Sequence, residues 1–320
     1  MAKQGKILLD ERIAQVRSRL QVGRAEGAIY EATVRINDLE RSLKALKETE
    51  NTELFRHFPV AAVATLEAHF RSSVAMVVDK GAEYFTRGVA LLGDKLRASE
   101  IIPMIHKKSV SIGEIVAYSL PFSSLAHLED VLDILLGQNF KQLSKSAEDP
   151  YFSRNNVAER QLLVQDISGL WEDLHNVFHD RHVLAHESAT QFIIDYEKAA
   201  TAVRCVKLVI DVIDAVFWST VWKDEPLTQY EMNVAAWKNY KQTRLKLAAV
   251  IRAKRKEHYN PLEMSQLRTL HLKWKEWVSE WCSFSADRFV GGSIRPLIHA
   301  SELSHAYEDR IRQIESITGY

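Results

Sequence analysis

The spacing of the apolar residues constrains the fold of this chain more than any other feature of its sequence. Apolar residues recur mostly three and four positions apart, which is the period of an amphipathic α-helix. Glycine and proline are scarce, with 12 and 7 residues in 320. No run alternates apolar and polar residues as a half-buried strand would. The sequence therefore predicts an all-α fold.

Breaks in this period divide the chain into three predicted parts. Residues 1–54 predict a highly charged, coiled-coil-like helix, residues 55–222 a helical bundle, and residues 223–320 a basic linker helix with a small helical domain. The first part is a long helix or a helical hairpin, and it either packs on its own domain or serves as an oligomerisation arm. Its apolar stripe consists of Ile13, Val16, Leu20, Ile36, Leu39, Leu43 and Leu46.

Glycine, proline and capping residues predict where individual helices begin and end. Pro59 suits the first turn of a helix that stops near Gly81. Ser123 or Ser124 can cap a helix that ends near Gly137. The other predicted features are helices over about residues 156–180 and 187–219, a domain boundary after Glu225-Pro226, a break at Pro261 and a loop at Gly291-Gly292-Ser293.

The charge balance and the cysteine content limit the class of protein. Lysine plus arginine equals aspartate plus glutamate, 42 against 42, so any contact with RNA must come from a local patch. Cys205 and Cys282 cannot by themselves build a disulfide framework or a zinc finger. The N-terminus lacks a signal-peptide core, and no apolar run approaches the roughly 18 residues of a membrane span. We expect a soluble, cytoplasmic protein that needs no cofactor.

Residues 175–187 combine an arginine with a stripe of histidines. The stripe consists of His175, His179, His182 and His186, which would share one face of a continuous helix. It could be a polar face without chemistry. It could be a zinc site, although the third ligand and a His-Glu-x-x-His general base are missing. The third interpretation is RNA cleavage without a metal, because Arg181 can hold a phosphate and histidine transfers protons near neutral pH.

Arg181, four intervening residues and His186, with a polar residue directly after the arginine, resemble the motif of HEPN (higher eukaryotes and prokaryotes nucleotide-binding) domains. The likeness extends to ribonucleases of the RiboL-PSP type and covers roughly residues 55–222. The segments that carry it are Phe58-Pro-Val to Leu66-Glu-Ala-His-Phe70, Val110-Ser-Ile-Gly-Glu to Leu120, and Trp171-Glu-Asp-Leu174.

This resemblance implies a bundle of four to five helices that forms a homodimer, with one composite endoribonuclease site built from two motifs. A ribose 2′-hydroxyl would attack its own phosphodiester and leave a 2′,3′-cyclic phosphate. The resemblance assigns phosphate binding to Arg181, proton transfer to His186 and a supporting polar role to His182. Such enzymes act as toxins or anti-phage effectors, with an antitoxin or another defence protein as a possible partner. The alternative is a HEPN module without catalysis, which recruits a partner or binds a nucleotide.

Further residues have supporting or regulatory interpretations. Glu67, Asp180 and Glu187 are candidate supporting carboxylates and His69 has the same status, although we expect a surface position for each more than a role in the site. Arg181 and His186 lie about 140° apart around an ideal helix, so we expect either a bend near Asp180 or an arginine side chain that curls round the helix. HEPN toxins silenced by nucleotidyltransferases often carry a tyrosine where this chain has Ser188, and the resemblance therefore does not imply that form of control.

The C-terminal region resembles LprI-type lysozyme-inhibitor domains over about residues 262–318. The matching features are Trp274 eight residues before Cys282, the Gly291-Gly-Ser loop and Arg310 in the last helix. A second cysteine, which that family usually has near residues 301–303, is missing, so we interpret the region as a fold reused for docking or sensing.

Two residue sets in this region could serve either structure or RNA. The tryptophans 274, 277 and 281 share one helical face, which predicts core packing rather than a base-stacking platform. A basic cluster could guide RNA phosphates or form a solvated helix face. Its members are Lys241, Arg244, Arg252, Lys254 and Arg255.

Overall fold

The computed structural model describes residues 9–19, 25–93, 102, 106, 110–122, 124–155, 161–187, 189–256 and 261–316. The all-α prediction is confirmed, because these residues form helices joined by turns and loops, and their only bridge between extended segments is an isolated one from Glu148 to Leu162. The chain divides into two compact units, Met1–Lys223 and Asp224–Tyr320.

The first unit contains helices α1 to α10. Their bounds are α1 Leu9–Arg17, α2 Ala25–Ala45, α3 His57–Asp79, α4 Ala82–Leu92, α5 Ile112–Ser119, α6 Leu125–Leu136, α7 Phe140–Ser144, α8 Pro150–Asn155, α9 Ile167–His186 and α10 Tyr196–Ser219. A short 3-10 helix, Thr52–Arg56, leads into α3.

Helix α3 lies at the centre of the first unit and is buried on most of its surface. Helices α2, α5, α9 and α10 pack around it. Its almost completely enclosed side chains include Leu66, Phe70, Val74, Val77 and Val78. Burial on several faces follows from its sequence, since apolar and small residues occupy most of its positions. This helix is the frame on which the candidate site is built.

The apolar stripe of the N-terminal part packs within the first unit. Helix α2 buries Ile36, Leu39 and Leu43 in the same core as α3 and α10. Lys207 of α10 donates to Glu40 of α2 at 2.7 Å, which fixes the two helices at their exposed edge. The structure therefore gives α2 the role of a packed helix within this unit. Leu20 lies outside the described residues.

Several helix ends follow the predicted signals. Helix α3 begins two residues before Pro59, and Gly81 follows its end with φ +88°. Ser124 caps α6 by accepting from the backbone N–H of His127, and Gly137 ends that helix in the left-handed conformation. These boundaries are confirmed, whereas Ser123 lies outside the described residues.

The predicted bounds of the next two helices, 156–180 and 187–219, are wrong by several residues. Asp166 accepts from the backbone N–H of Gly169, so α9 begins at Ile167, and it continues to His186. Asp195 caps α10 in the same way, so the described residues between His186 and Tyr196 form a loop. The capping aspartates determine where α9 and α10 begin, because their side chains accept from backbone N–H groups that lack partners within the helix. Residues 156–160 lie outside the described part.

The described residues of the second unit form three helices, α11 Gln229–Lys256, α12 Pro261–Asp287 and α13 Arg295–Glu315. Both α11 and α12 pack against α13. Their small core contains Leu247, Val278, Cys282, Leu303, Tyr307 and Ile314. No helix among the described residues of either unit is long and apolar enough to cross a membrane.

Candidate functional site

The candidate site lies at the C-terminal end of α9. One side of this helix is held in the core by Leu174, Val177 and Phe178, and the helix continues through Arg181 to His186. Arg181 and His186 therefore lie on different faces of one continuous α-helix, about 140° apart. The burial of the apolar side fixes which way each polar side chain leaves the helix.

Arg181 is directed towards α3, where it meets Glu67. Its Nη2 lies 3.7 Å from Oε1 of Glu67, and the two side chains are only 26% and 21% exposed. Burial raises the pKa of Glu67, while Arg181 and Arg71 oppose that shift. The structure thus brings together two residues that are far apart in the chain, one from the HEPN-like motif and one from the predicted supporting carboxylates.

The two histidines of the motif lie beside each other at the end of α9. The ring centroids of His182 and His186 are 4.9 Å apart, and the rings are tilted by 55°. Both side chains are exposed. Two neighbouring imidazoles at the protein surface can accept a proton and donate one at the same substrate.

The other predicted supporting carboxylates differ in their surroundings. Asp180 is partly buried, and burial raises the pKa of its carboxyl group, although neighbouring His179 lowers it. Glu187 is exposed, and its backbone N–H donates to Val183 as α9 ends. Ser188, the position where silenced HEPN toxins carry a tyrosine, lies outside the described residues.

Arg56 positions the loop that follows the motif, a role that the sequence analysis did not predict. Its Nη1 donates to the backbone oxygens of Ala189 at 3.1 Å and Phe192 at 2.9 Å. Phe192 also contacts the ring of His179, with centroids 6.4 Å apart. The only sequence signal for this role is a basic residue just before α3, which is too common to identify it.

A fourth supporting candidate, His69 on α3, lies away from the surface. His69 is fully buried, and its Nε2 lies 3.1 Å from Oδ1 of Asp214 on α10. The distance is that of an ion pair, but the geometry does not satisfy a hydrogen bond. The contact is therefore electrostatic. Burial and the neighbouring Asp214 raise the pKa of Asp211 to about 6.

The arginine beside Glu67 on α3 is held by aromatic rings. The guanidinium of Arg71 lies 5.0 Å from the ring centroid of Phe122 and 5.8 Å from that of Tyr118. Burial lowers the pKa of Arg71, whereas Glu67 raises it. The Glu67 carboxylate therefore lies between two arginines, and Arg71 is fixed by its rings. Among the described residues, no group of three or more His, Cys, Asp or Glu side chains is placed to hold a metal ion.

The predicted core role of the tryptophans in α12 is correct for one residue and wrong for two. Trp274 packs edge-on against Tyr307, with ring centroids 5.0 Å apart, in the core of the second unit. Trp277 and Trp281 are 56% and 49% exposed, and they stack on each other at 6.0 Å. In a unit of three helices, the other two helices cover only one side of α12. The rings of Trp277 and Trp281 lie outside that covered side.

The predicted basic cluster lies on α11. Four of its five members are exposed, and Lys254 is partly buried. Helical spacing places four of them within about 80° on one side of the helix and separates Lys254 from them. The four are Lys241, Arg244, Arg252 and Arg255.

Comparison with known proteins identifies part of the second unit. The family model described as Lysozyme inhibitor LprI matches residues 223–314, which confirms the C-terminal resemblance and extends it to α11. Trp274, Cys282 and Arg310 lie inside the matched segment, and Cys282 is a buried free thiol. The match does not reach the HEPN-like part, which stays a prediction. No curated protein and no solved structure matched the chain.

Proposed function

We propose that the first unit is a metal-independent endoribonuclease of the HEPN type that acts as a homodimer. The observation that carries this proposal is the group formed by Arg181, His182 and His186 at the end of α9, with the arginine against Glu67 and the two imidazoles exposed side by side. It provides a guanidinium for phosphate binding and two imidazoles for proton transfer at the end of one helix.

The proposed reaction is transesterification within the RNA strand. His186 removes the proton from a ribose 2′-hydroxyl, and the 2′-oxygen forms a bond to the adjacent phosphorus. The bond from phosphorus to the 5′-oxygen breaks, and a protonated imidazole, from His182 or from the second protomer, supplies a proton to that oxygen. Arg181 stabilises the extra negative charge on the phosphorane through its planar donors.

Glu67 and the loop after α9 position these groups. The Glu67 carboxylate limits the orientations open to the Arg181 guanidinium, and RNA phosphate competes with it for the same donors. Asp180 and Glu187 stay supporting candidates. Lys241, Arg244, Arg252, Lys254 and Arg255 are proposed to attract RNA phosphates, a contribution that weakens with salt.

RNA cleavage by the purified full-length protein tests this function. In EDTA, the wild type should produce ends with a 2′,3′-cyclic phosphate. His186→Ala and Arg181→Ala should each lower the rate by roughly 100-fold to 10,000-fold. His175→Ala is the matched control, because His175 is exposed on the same helix two turns before Arg181. Equal cleavage by wild type and both motif variants would refute the proposal.

A toxin or an anti-phage effector is the biological role that fits such an activity. Expression of the wild type should then arrest growth, whereas His186→Ala should not. Sequencing of the RNA ends would identify the target. An antitoxin or another defence protein would be recovered by affinity purification of the inactive variant from its native host.

The second candidate is a binding module without catalysis, which recruits a protein partner. The match of residues 223–314 to a family described as a lysozyme inhibitor favours it, as do the exposed stacked rings of Trp277 and Trp281, since exposed aromatic clusters are typical of protein interfaces. It predicts stable complex formation and no RNA turnover. Loss of growth arrest in a Trp277→Ala variant that still cleaves RNA would support a partner role beside catalysis.

A further inference from the structure

The second unit contains a cavity whose interior none of the functions above uses, although Arg255 in its lining also belongs to the predicted basic cluster. It has a volume of about 490 Å³ and lies where the end of α11, the beginning of α12 and the end of α13 meet. Ligand pockets for small molecules usually measure roughly 300–1,000 Å³, so the cavity has the capacity for a small organic molecule. Its apolar lining consists of Ile251, Met264, Leu267 and Ile314.

The lining combines apolar and cationic side chains. Met264, Leu267 and His271 follow one face of α12 at spacings of three and four residues. Arg255 from α11 and Arg268 from α12 add two guanidinium groups from different helices. Among the described residues, neither arginine forms an ion pair with a carboxylate, and both side chains are exposed. An arginine fork matches carboxylate and phosphate groups.

A fixed aromatic stack adds further positive potential beside the cavity. His271, which lines the cavity, stacks on Trp274 with ring centroids 5.3 Å apart and an interplanar angle of 20°. The guanidinium of Arg310 lies 5.4 Å from the centroid of the same indole ring. His271 Nδ1 and Arg310 Nε are buried without a hydrogen-bond partner in the described structure. Such a set of positive and unsatisfied groups favours an anion nearby.

The ionisation of these groups is consistent with that electrostatic picture. Burial lowers the pKa of His271, and the charges of Arg310 and Lys275 lower it further. Burial also lowers the pKa of Arg310. Positive charge is therefore already crowded at this end of the unit, and a bound anion would relieve the repulsion.

We propose that this cavity binds an organic anion, with its carboxylate or phosphate group between Arg255 and Arg268 and a short apolar body in the rest of the cavity. The apolar body matches the apolar side chains of the lining, and the anionic group matches the two arginines that line the same cavity from different helices. A fatty acid and a phosphorylated apolar metabolite share this chemistry, so the test must separate them.

Calorimetric titration of the full-length protein provides the test. The probes are octanoate, octyl phosphate, octanol and inorganic phosphate. We expect octanoate or octyl phosphate to bind at one site, and octanol and inorganic phosphate to bind at least about tenfold more weakly, because each lacks one of the two interactions. Tighter binding of octanoate identifies a carboxylate ligand, and tighter binding of octyl phosphate identifies a phosphorylated one.

Three arginine variants make the test specific. Arg255→Gln and Arg268→Gln should each weaken binding of the anionic probe by roughly 10-fold to 100-fold. Arg252→Gln is the matched control, because Arg252 is exposed on α11 and its Nε donates to the backbone oxygen of Ala248. All three side chains are at the surface, so the variants should melt at the temperature of the wild type.

Several outcomes would overturn the proposal. Octanol that binds as tightly as octanoate would show that the arginines do not select an anion. An equal loss of affinity for the anionic probe in the control variant and in Arg268→Gln would show that the probe is held by general electrostatic attraction. If every probe fails to saturate the protein at concentrations up to its solubility limit, the cavity is not a site for this class of ligand.

Discussion

Removal of the Arg56 side chain should release the loop that follows the catalytic candidates. Arg56 is only 19% exposed and donates from one nitrogen to the backbone oxygens of Ala189 and Phe192. A hydrogen bond from a charged donor contributes roughly 1.5–3 kcal/mol. Fixing an arginine side chain costs about 1.5–2 kcal/mol of rotamer entropy. When the entropy cost of fixing the arginine is subtracted from the contribution of two such hydrogen bonds, the net stabilisation of the loop is about 2 kcal/mol.

Hydrogen exchange measures this local free energy directly. In Arg56→Ala, amides in residues 189–195 should exchange about 30-fold faster, since 1.4 kcal/mol corresponds to tenfold in an equilibrium constant. Amides in the middle of α3 should keep their rates, because they exchange through opening of the core. RNA cleavage should fall as well if the loop holds the end of α9 in place.

Lys198 provides a matched control in the same loop region. Its Nζ donates to the backbone oxygen of Ile193 at 3.3 Å and lies 5.7 Å from the ring centroid of Phe192, but the side chain is exposed. Lys198→Met should therefore change exchange by no more than about threefold. Exchange in Arg56→Ala that stays within threefold of wild type, or equals that of the lysine variant, would refute the reasoning.

Two further predictions concern the stability of the first unit. In Gly113→Ala, the new Cβ would lie 2.0 Å from the backbone oxygen of Ala75, so α5 must move away from α3. The free energy of unfolding, from urea titration, should fall by about 3 kcal/mol, and an unchanged value would contradict the close approach. Asp211→Asn should leave stability unchanged near pH 4 and raise it by about 0.5–1 kcal/mol at pH 8, a value reduced for solvent screening. The sign follows because the folded-state pKa of about 6 lies above the usual value. The folded wild type therefore binds more protons than the unfolded chain between those two values, and it loses stability as pH rises through that window. Equal pH dependence of variant and wild type in urea titrations would exclude Asp211 as the source.

The fold class could be predicted from the sequence because local signals decide it. Pro59 and Gly137 mark helix ends through the conformations they favour, and those conformations do not depend on the rest of the protein. The start of α9 was misplaced because Asp166 looks like any loop aspartate until its side chain is seen to accept from the helix. An apolar pattern with helical spacing can continue beyond the helix itself, so it does not show where the helix begins. A capping side chain fixes that boundary at one position.

The sequence could predict which residues belong to the candidate site, but not how these residues are arranged in space. Arg181 and His186 could be chosen from their spacing, but the contact between Arg181 and Glu67 depends on how α9 packs against α3. The same limit explains Trp277 and Trp281, since helical spacing shows which residues share a face and not which faces find a partner. Arg56 had no distinctive signal, because its acceptors are backbone oxygens, which any residue could supply.

The separation of Arg181 from His186 around α9 bears on how many chains one reaction needs. Within one protomer, the arginine faces Glu67 while the imidazole of His186 faces the ring of His182. A phosphate held by that arginine is therefore best reached by the histidine of a second chain, as the proposed homodimer provides. Mixing Arg181→Ala with His186→Ala, each inactive alone, should then restore part of the RNA cleavage after subunit exchange, because a mixed dimer contains one intact arginine opposite one intact histidine. Mixed dimers that form, as shown by two different affinity tags, and yet cleave no RNA would place both groups in the same chain.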